Sequence, residues 1–217
     1  MDFKGFRLFW PYLGLSPLNI LTIPFQRAKV SVCISIRASA YVGQAAVLTE
    51  RIQRDLDIPV LWGGMHPTIA GDECIEHADM ILQGEGELAI VDLADRLRDG
   101  EDVYDTPNIW FRKSKSDVVK NSLRPLVQNL DDLAFRDYTT HEHKYFINGN
   151  TYKIGDPMKG DPVFQMMGSR GCVYKCSYCY NSTYKKDVYP GQKWFRVRSP
   201  ASIVAEIKAA QKLWPMK

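Results

Sequence analysis

Three of the five cysteines fall in one short run, Gly171-Cys172-Val173-Tyr174-Lys175-Cys176-Ser177-Tyr178-Cys179-Tyr180-Asn181. A Cys-x3-Cys-x2-Cys spacing on a loop lets three thiolates converge on one small site. Three is one short of the four that close a cubane iron–sulfur cluster, so a 4Fe–4S cluster held here would keep one iron open for chemistry. The other chemistry open to this donor set is a structural zinc site. Such sites are closed tetrahedra that usually add a second ligand pair further along the chain. No fourth Cys or His lies between 144 and 217, and His141 and His143 would have to reach back. The spacing favours the cluster over zinc.

Two glycine motifs stand upstream, Gly63-Gly64-Met65-His66-Pro67-Thr68 and Gly84-Glu85-Gly86-Glu87. Glycine lets backbone approach a bulky ligand closely and tolerates positive φ at strand-to-helix turns. Taken alone, Gly63-Gly64 reads as an ordinary tight turn; the two glycine motifs together, ahead of the cysteine loop, reverse that. His66 could face a ligand or cap its own loop. Glu87 suits the N-terminus of a helix through the dipole. Cys33 and Cys74 read as small buried apolar residues. Arg112-Lys113, Lys115 and Lys185-Lys186 read as solvated faces, and help from Lys185, Lys193 and Arg196 in holding an anionic substrate is the less favoured alternative.

The elements that must position these residues alternate between strand and helix. Lys29 to Ile36 has Val30, Val32, Ile34 and Ile36 on one face and Ser31, Cys33 and Ser35 on the other, which predicts a strand. Helix is predicted over Tyr41 to Leu56, a buried strand over Ile58 to Trp62, a short helix near Gly71 to His77, a strand over Asp79 to Gln83 and an amphipathic helix over Leu88 to Leu97. Strands separated by helices imply an open α/β sheet with parallel, Rossmann-like pairing, and ligands bind such sheets beyond the carboxyl ends of the strands. Ser35 and both glycine motifs fall there. Residues 1–100 are thus expected to form one α/β domain. Residues 101–160 read as a linker with a small hairpin around Lys113-Ser114-Lys115-Ser116. From 161 to 217 a strand at Val163 to Met167, the cysteine loop, and a helix capped by Ser199 with Pro200 at its first position make one βα unit. Ile203, Ile207, Ala210 and Leu213 mark that helix's apolar face, and Pro215 ends it.

The 217 residues carry 28 Lys plus Arg against 25 Asp plus Glu, a net charge of +3, with 45% hydrophobic residues. Nothing in that balance calls for nucleic acid. No apolar run approaches the ~18 residues of a membrane span, and Met1-Asp2-Phe3-Lys4, with Pro11 and Pro17 following, lacks a signal-peptide layout. The expected location is cytoplasmic, where clustered cysteines point to metal ligation rather than disulfides.

Cys172, Cys176 and Cys179, with Tyr178 directly before the third cysteine, resemble the signature loop of the radical S-adenosylmethionine superfamily. Trp194, Arg196, Arg198, Ser199 and Pro200 are similar to the stretch that follows that loop, and the flanking strand and helix to the first βα unit of the family's partial (β/α) barrel. Ser35, Gly63-Gly64 and Gly84-Glu85-Gly86 stand where one branch carries a cobalamin-binding domain ahead of the barrel. The resemblance runs from about residue 30 to 214.

The resemblance implies a 4Fe–4S cluster on the three cysteines, S-adenosylmethionine on the open iron, Tyr178 beside the adenine, and cobalamin bordered by Ser35, Gly63, Gly64, Gly84, Glu85 and Gly86. It implies reductive cleavage of S-adenosylmethionine, methyl transfer to an unactivated carbon of a small-molecule or lipid-like substrate, and an electron donor of flavodoxin or ferredoxin type. Ring rearrangement or cyclisation on the same scaffold follows closely. The Asp-x-His-x-x-Gly string of many cobalamin proteins does not occur, so a bound cobalt would lack a protein histidine below it. Too few residues precede Lys29 for the opening units of such a domain, and no Gly-Gly-Glu-like strand follows the last helix. The chain is therefore expected to be a piece of a longer enzyme. A methylthiolating enzyme lacks support, since its three N-terminal cysteines are missing. The alternative from another class is a non-catalytic cobalamin-binding or metal-stabilised interaction module.

Overall fold

In a computed structural model of the chain, residues 31–138 and 163–214 are described in full, and four strand segments, at 7–8, 18–23, 145–148 and 151–154, by their backbone. Lys29, Val30, His141, His143, Pro215 and the start of the chain through Lys4, with Pro11 and Pro17, lie outside the described residues. The chain divides into two compact units, Met1–Arg124 with Ile147–Tyr152, and Pro125–Phe146 with Lys153–Lys217.

The first unit is built on a seven-stranded sheet. In chain order its elements are β1 (Arg7–Leu8), β2 (Leu18–Ile23), β3 (Ser31–Ile36), α1 (Val42–Leu56), β4 (Val60–Gly63), α2 (Met65–Ile69), α3 (Gly71–Cys74), β5 (Met80–Leu82), α4 (Glu87–Asp99), β6 (Ile109–Arg112) and β7 (Val118–Lys120). The strands lie side by side in this order. Parallel pairing is confined to β3, β4 and β5. Both flanks are antiparallel, β1 and β2 on one side and β6 and β7 on the other. The sheet is therefore mixed rather than parallel throughout. Where α1 and the α2–α3 pair carry the chain back, it re-enters parallel. The short turn at residues 113–117 can join only antiparallel neighbours, and the hairpin it makes extends the sheet instead of standing in a linker.

The alternation in β3 sorts the sheet's two faces. Val32, Ile34 and Ile36 pack with Val60, Trp62, Ile81 and with Ala45, Cys74 and Ile75 from α1 and the α3 region. Cys33 faces the other way, with Leu61, Met80, Leu82, Ile109 and Phe111, under Ala89, Leu93 and Leu97 of α4. Those three sit at i, i+4 and i+8, one face of a helix. Gly100 ends α4 in the left-handed conformation, with Arg96 and Arg98 in the last turn where the dipole favours cations. Trp62 is fully buried, and its indole N–H finds Thr49 Oγ1 at 2.8 Å, as a buried donor must. The Asp79 carboxylate accepts from Val60 N and Gln53 Nε2, both at 2.8 Å, tying β4 to α1 at the opposite edge from the glycine turns.

β8 (Tyr145–Asn148) and β9 (Thr151–Ile154) pair as a separate two-stranded ladder, and in the second unit so do β10 (Ser169–Arg170) and β11 (Arg196–Val197). Between the latter two, α5 (Tyr180–Thr183) follows the third cysteine and runs into a wider π turn over Tyr184–Val188. Helix α6 (Pro200–Gln211) is capped as expected, Ser199 Oγ accepting from Ser202 N at 3.1 Å. The strand expected at Val163 to Met167 does not form. Residues 163–168 carry no regular structure, and the strand there, β10, begins at Ser169. The burial of α6 also departs from expectation. Ala210 is buried, but beside Glu206, whereas Leu213 is 48% exposed. No helix among the described residues is long and apolar enough to cross a membrane.

Candidate functional site

Because β3, β4 and β5 run parallel, their carboxyl ends share one edge of the first unit's sheet, and the expected residues meet there. Ser35 is in register with Gly63. Gly64 follows with φ 98° and ψ −163°, a combination open essentially to glycine alone. A Cβ at Gly64 would lie 2.9 Å from both Ile36 O and Ser35 Oγ. The absent side chain is therefore required first by the protein's own strand β3, which the turn packs against. Gly84 is also in the left-handed region, at φ 75°. Gly63 and Gly86 are not, so two of the four glycines use the freedom the sequence suggested. Glu85 is half-buried between Gly84 and Gly86.

Thr68 joins the two turns, a role that motif reading missed. Its buried hydroxyl donates to Gly64 O at 2.8 Å and accepts from Gly84 N at 2.9 Å. The signal was present as a hydroxyl residue four positions after Gly64, the spacing of an i−4 back-bond. His66 lies in the same turn. Ser39 Oγ is 3.1 Å from its Nδ1, while its buried Nε2 has no hydrogen-bond partner and stands 3.8 Å from the Glu73 carboxylate.

The cysteine loop lies in the second unit. Gly171 opens it at φ 81°, and a Cβ there would come within 2.2 Å of Trp194 O, so only glycine lets the outgoing leg cross the returning one. Beneath the loop Tyr184, Tyr189 and Trp194 are buried and in ring contact, with Tyr180 on Tyr184. These aromatics are a floor the spacing of the cysteines did not reveal. Cys172, Cys176 and Cys179 are free thiols, each partly exposed. The turn over the last two is fixed by Cys179 N donating to Cys176 O at 3.1 Å and Ser182 Oγ donating to the same carbonyl at 2.8 Å. The Asn181 backbone N–H and side-chain amide, the latter 3.6 Å from Cys179 Sγ, hold that thiol below its ordinary range by stabilising the thiolate. Cys33 and Cys74 are the opposite case, buried and pushed up to about 12 by desolvation, with Glu73 adding to the effect at Cys74.

Among the described residues no three His, Cys, Asp or Glu side chains approach closely enough to hold one metal ion. A single zinc needs all its ligands in one coordination sphere. Tyr178 is 91% exposed and open to stack against a ligand. Arg196 is buried, its Nη1 donating to Val127 O at 2.7 Å and its Nε to Trp194 O at 3.4 Å. It is a structural residue of the loop rather than an anion holder.

No family model matches the chain. Curated proteins do. An uncharacterized methyltransferase of Pyrococcus horikoshii is 25% identical over 179 residues, covering 80% of this chain and 35% of its own length. The anaerobic magnesium-protoporphyrin IX monomethyl ester cyclase of Rubrivivax gelatinosus is 25% identical, covering 83% and 30%. The bacteriochlorophyllide d C-12(1)-methyltransferase of Chlorobaculum tepidum is 27% identical, covering 70% and 26%. The chain thus spans about a third or less of these relatives. Among solved structures the fold is similar to the radical S-adenosylmethionine methyltransferase TsrM of Kitasatospora setae, at TM-score 0.56 and 19% identity over 83% of this chain and 35% of that one, in a form with tryptophan and aza-SAM bound. A second form of TsrM, with cobalamin and a [4Fe-4S] cluster, gives TM-score 0.53 at 17% identity, over 87% and 36%. The chain is thus similar in sequence to methyltransferases and to an anaerobic magnesium-protoporphyrin IX monomethyl ester cyclase, and similar in fold to a radical S-adenosylmethionine methyltransferase.

Proposed function

We propose that this chain supplies the cofactor-holding part of a cobalamin-dependent radical S-adenosylmethionine enzyme whose reaction is methyl transfer to a small organic substrate. The observation that carries the reading is the cysteine loop, with three free thiols on one turn that lowers the pKa of one of them. Cys172, Cys176 and Cys179 would hold a 4Fe–4S cluster, and residues 161–217 would open the radical domain. Residues 1–100 would form the cobalamin-type domain, with Ser35, Gly63, Gly64, Gly84, Glu85 and Gly86 along its ligand edge, where open α/β sheets bind ligands. When bound, the cluster supplies the electron for reductive cleavage of S-adenosylmethionine, and cobalamin a carrier for the methyl group.

What this chain's own residues do follows from their surroundings. Asn181 lowers the Cys179 pKa and so favours the thiolate, the state a metal takes. Gly171 lets the two legs of the loop cross, and the Tyr184–Tyr189–Trp194 floor keeps that crossing in place. The exposed ring of Tyr178 offers an apolar face to the adenine of S-adenosylmethionine. Thr68 holds the two glycine turns at a fixed separation along the ligand edge. A one-electron donor of flavodoxin or ferredoxin type would complete the system.

The test is electron paramagnetic resonance on the anaerobically reconstituted, reduced protein. Adding S-adenosylmethionine should change the cluster signal, because the open iron gains ligands. A signal indifferent to S-adenosylmethionine would contradict the reading.

A further inference from the structure

The cysteine loop's returning leg is held by residues far upstream of it in sequence. Within the second unit, Leu126 N donates to Gln192 Oε1 at 2.8 Å, Arg196 Nη1 to Val127 O at 2.7 Å and Ser199 N to Asp131 Oδ1 at 3.0 Å. Tyr138 OH donates to Glu206 Oε1 at 2.5 Å, and Trp214 Nε1 to Tyr138 O at 2.8 Å. The segment between Leu126 and Tyr138 thus touches the loop, the start of α6 and the residues just past its end. A passive tether would have no need of these bonds.

The contacts converge on Arg198, which closes the loop. Its backbone N donates to Gly168 O at 2.9 Å, joining the loop's exit to its entry, and Nη1 reaches Met167 O at 3.4 Å. Nη2 donates to Ser202 Oγ at 2.8 Å, and the guanidinium ion-pairs with Glu206. Glu206 is 4% exposed, so its carboxylate is shared between Arg198 on one oxygen and Tyr138 on the other. Burial and the Glu206 carboxylate raise the Tyr138 hydroxyl's pKa, which keeps it a donor. A buried ion pair adds little net stability over apolar packing of the same volume, and one well-attested use is to fix register.

We infer that residues 126–138 are a brace of the cysteine loop, and that Tyr138, Glu206 and Arg198 are positioning residues that set the spacing of its three thiols. The inference rests on the reading of that loop as the cluster site. The hydroxyl of Tyr138 orients Glu206, Glu206 orients Arg198, and Arg198 holds Gly168 and Met167 at the loop's mouth.

The experiment uses the whole chain with Tyr138→Phe, Glu206→Gln and Arg198→Lys, and Lys208→Ala on the exposed face of α6 as control. Amide hydrogen exchange is followed on the cluster-free protein, and iron and sulfide content after anaerobic reconstitution. Tyr138→Phe keeps the ring against Phe164 and Trp214 and removes only the donor, so it decides the matter if a harsher variant unfolds. The expected result is exchange roughly tenfold faster at Arg198 and along β10 and β11, with the interior amides of α6 unchanged. Cluster loading should fall below half of the wild-type value in the three variants and stay unchanged in the control. Wild-type exchange at Arg198 together with full loading in all three would overturn the brace. Failure of the cluster reading looks different. The wild type itself would take up no cluster, while the exchange measurement would still report on the brace.

Discussion

At the edge of the seven-stranded sheet, Ser35, Gly64, Thr68 and Gly84 are fixed by ladder pairing and one buried hydroxyl, all within a span of 50 residues. Around Cys172, Cys176 and Cys179 the one ladder among the described residues is the pair of two-residue strands β10 and β11, and the loop depends on Gly171, an aromatic floor and the distant segment 126–138. The first site is a by-product of its fold. The second is assembled from outside the loop, and its thiols are partly exposed. The difference predicts that substitutions at the sheet edge act mainly on stability, and those in the loop mainly on what it can hold.

The largest expected effect is at the thiols. Replacing Cys172, Cys176 or Cys179 with Ala should abolish cluster incorporation while leaving the thermal midpoint of the apoprotein within a degree or so of wild type. Cys33→Ala and Cys74→Ala should do the reverse, keeping the cluster and costing about 1 kcal/mol of stability through the small voids they leave in the core. Iron analysis and thermal melts on the five variants would separate the two classes. Equal loss of iron in all five would erase the contrast.

Next comes backbone strain at the sheet edge. Gly64→Ala meets both a glycine-only conformation and contacts at 2.9 Å from β3, and should cost about 3 kcal/mol or more. Gly100→Ala has a left-handed φ of 74° but nothing within 4 Å, so the strain alone should cost about 1–2 kcal/mol. Urea unfolding of the pair measures the difference. In the loop, Gly171→Ala should spare the sheet's unfolding transition and depress cluster loading, because its clash with Trp194 lies in the other unit.

The legibility of these regions differed for physical reasons. β3, α1, β4, β5, α4 and α6 were readable because apolar periodicity and caps are local signals. The meeting of Ser35 with the glycine turns followed from strand direction alone. The mixed sheet was not readable, since pairing direction for β2 and for the 109–120 hairpin is decided by partners remote in sequence. Val163 to Met167 has the composition of a strand but no regular structure. Thr68, the aromatic floor and the Tyr138–Glu206–Arg198 chain act through contacts across many residues, and no spacing rule reports them.

A smaller effect concerns Cys179. Its depressed pKa means the thiolate persists to lower pH than in an ordinary cysteine, so its alkylation by iodoacetamide should stay fast as pH falls toward neutrality. Asn181→Ala keeps the backbone N–H, the larger cause, and removes the side-chain amide, so it should raise that pKa only part of the way and slow alkylation modestly at neutral pH, with little change above the ordinary thiol range. Mass spectrometry of the labelled peptide reads the rate. An unchanged rate would remove the Asn181 side chain, though not its backbone N–H, from the site.

The central claim, that the cysteine loop holds an iron–sulfur cluster with one open iron, is tested most directly by metal and acid-labile sulfide analysis after anaerobic reconstitution. The account predicts about four irons and four sulfides per chain, lost together when any one of the three loop cysteines is replaced. Stoichiometric zinc without sulfide, retained through oxygen exposure, would contradict it.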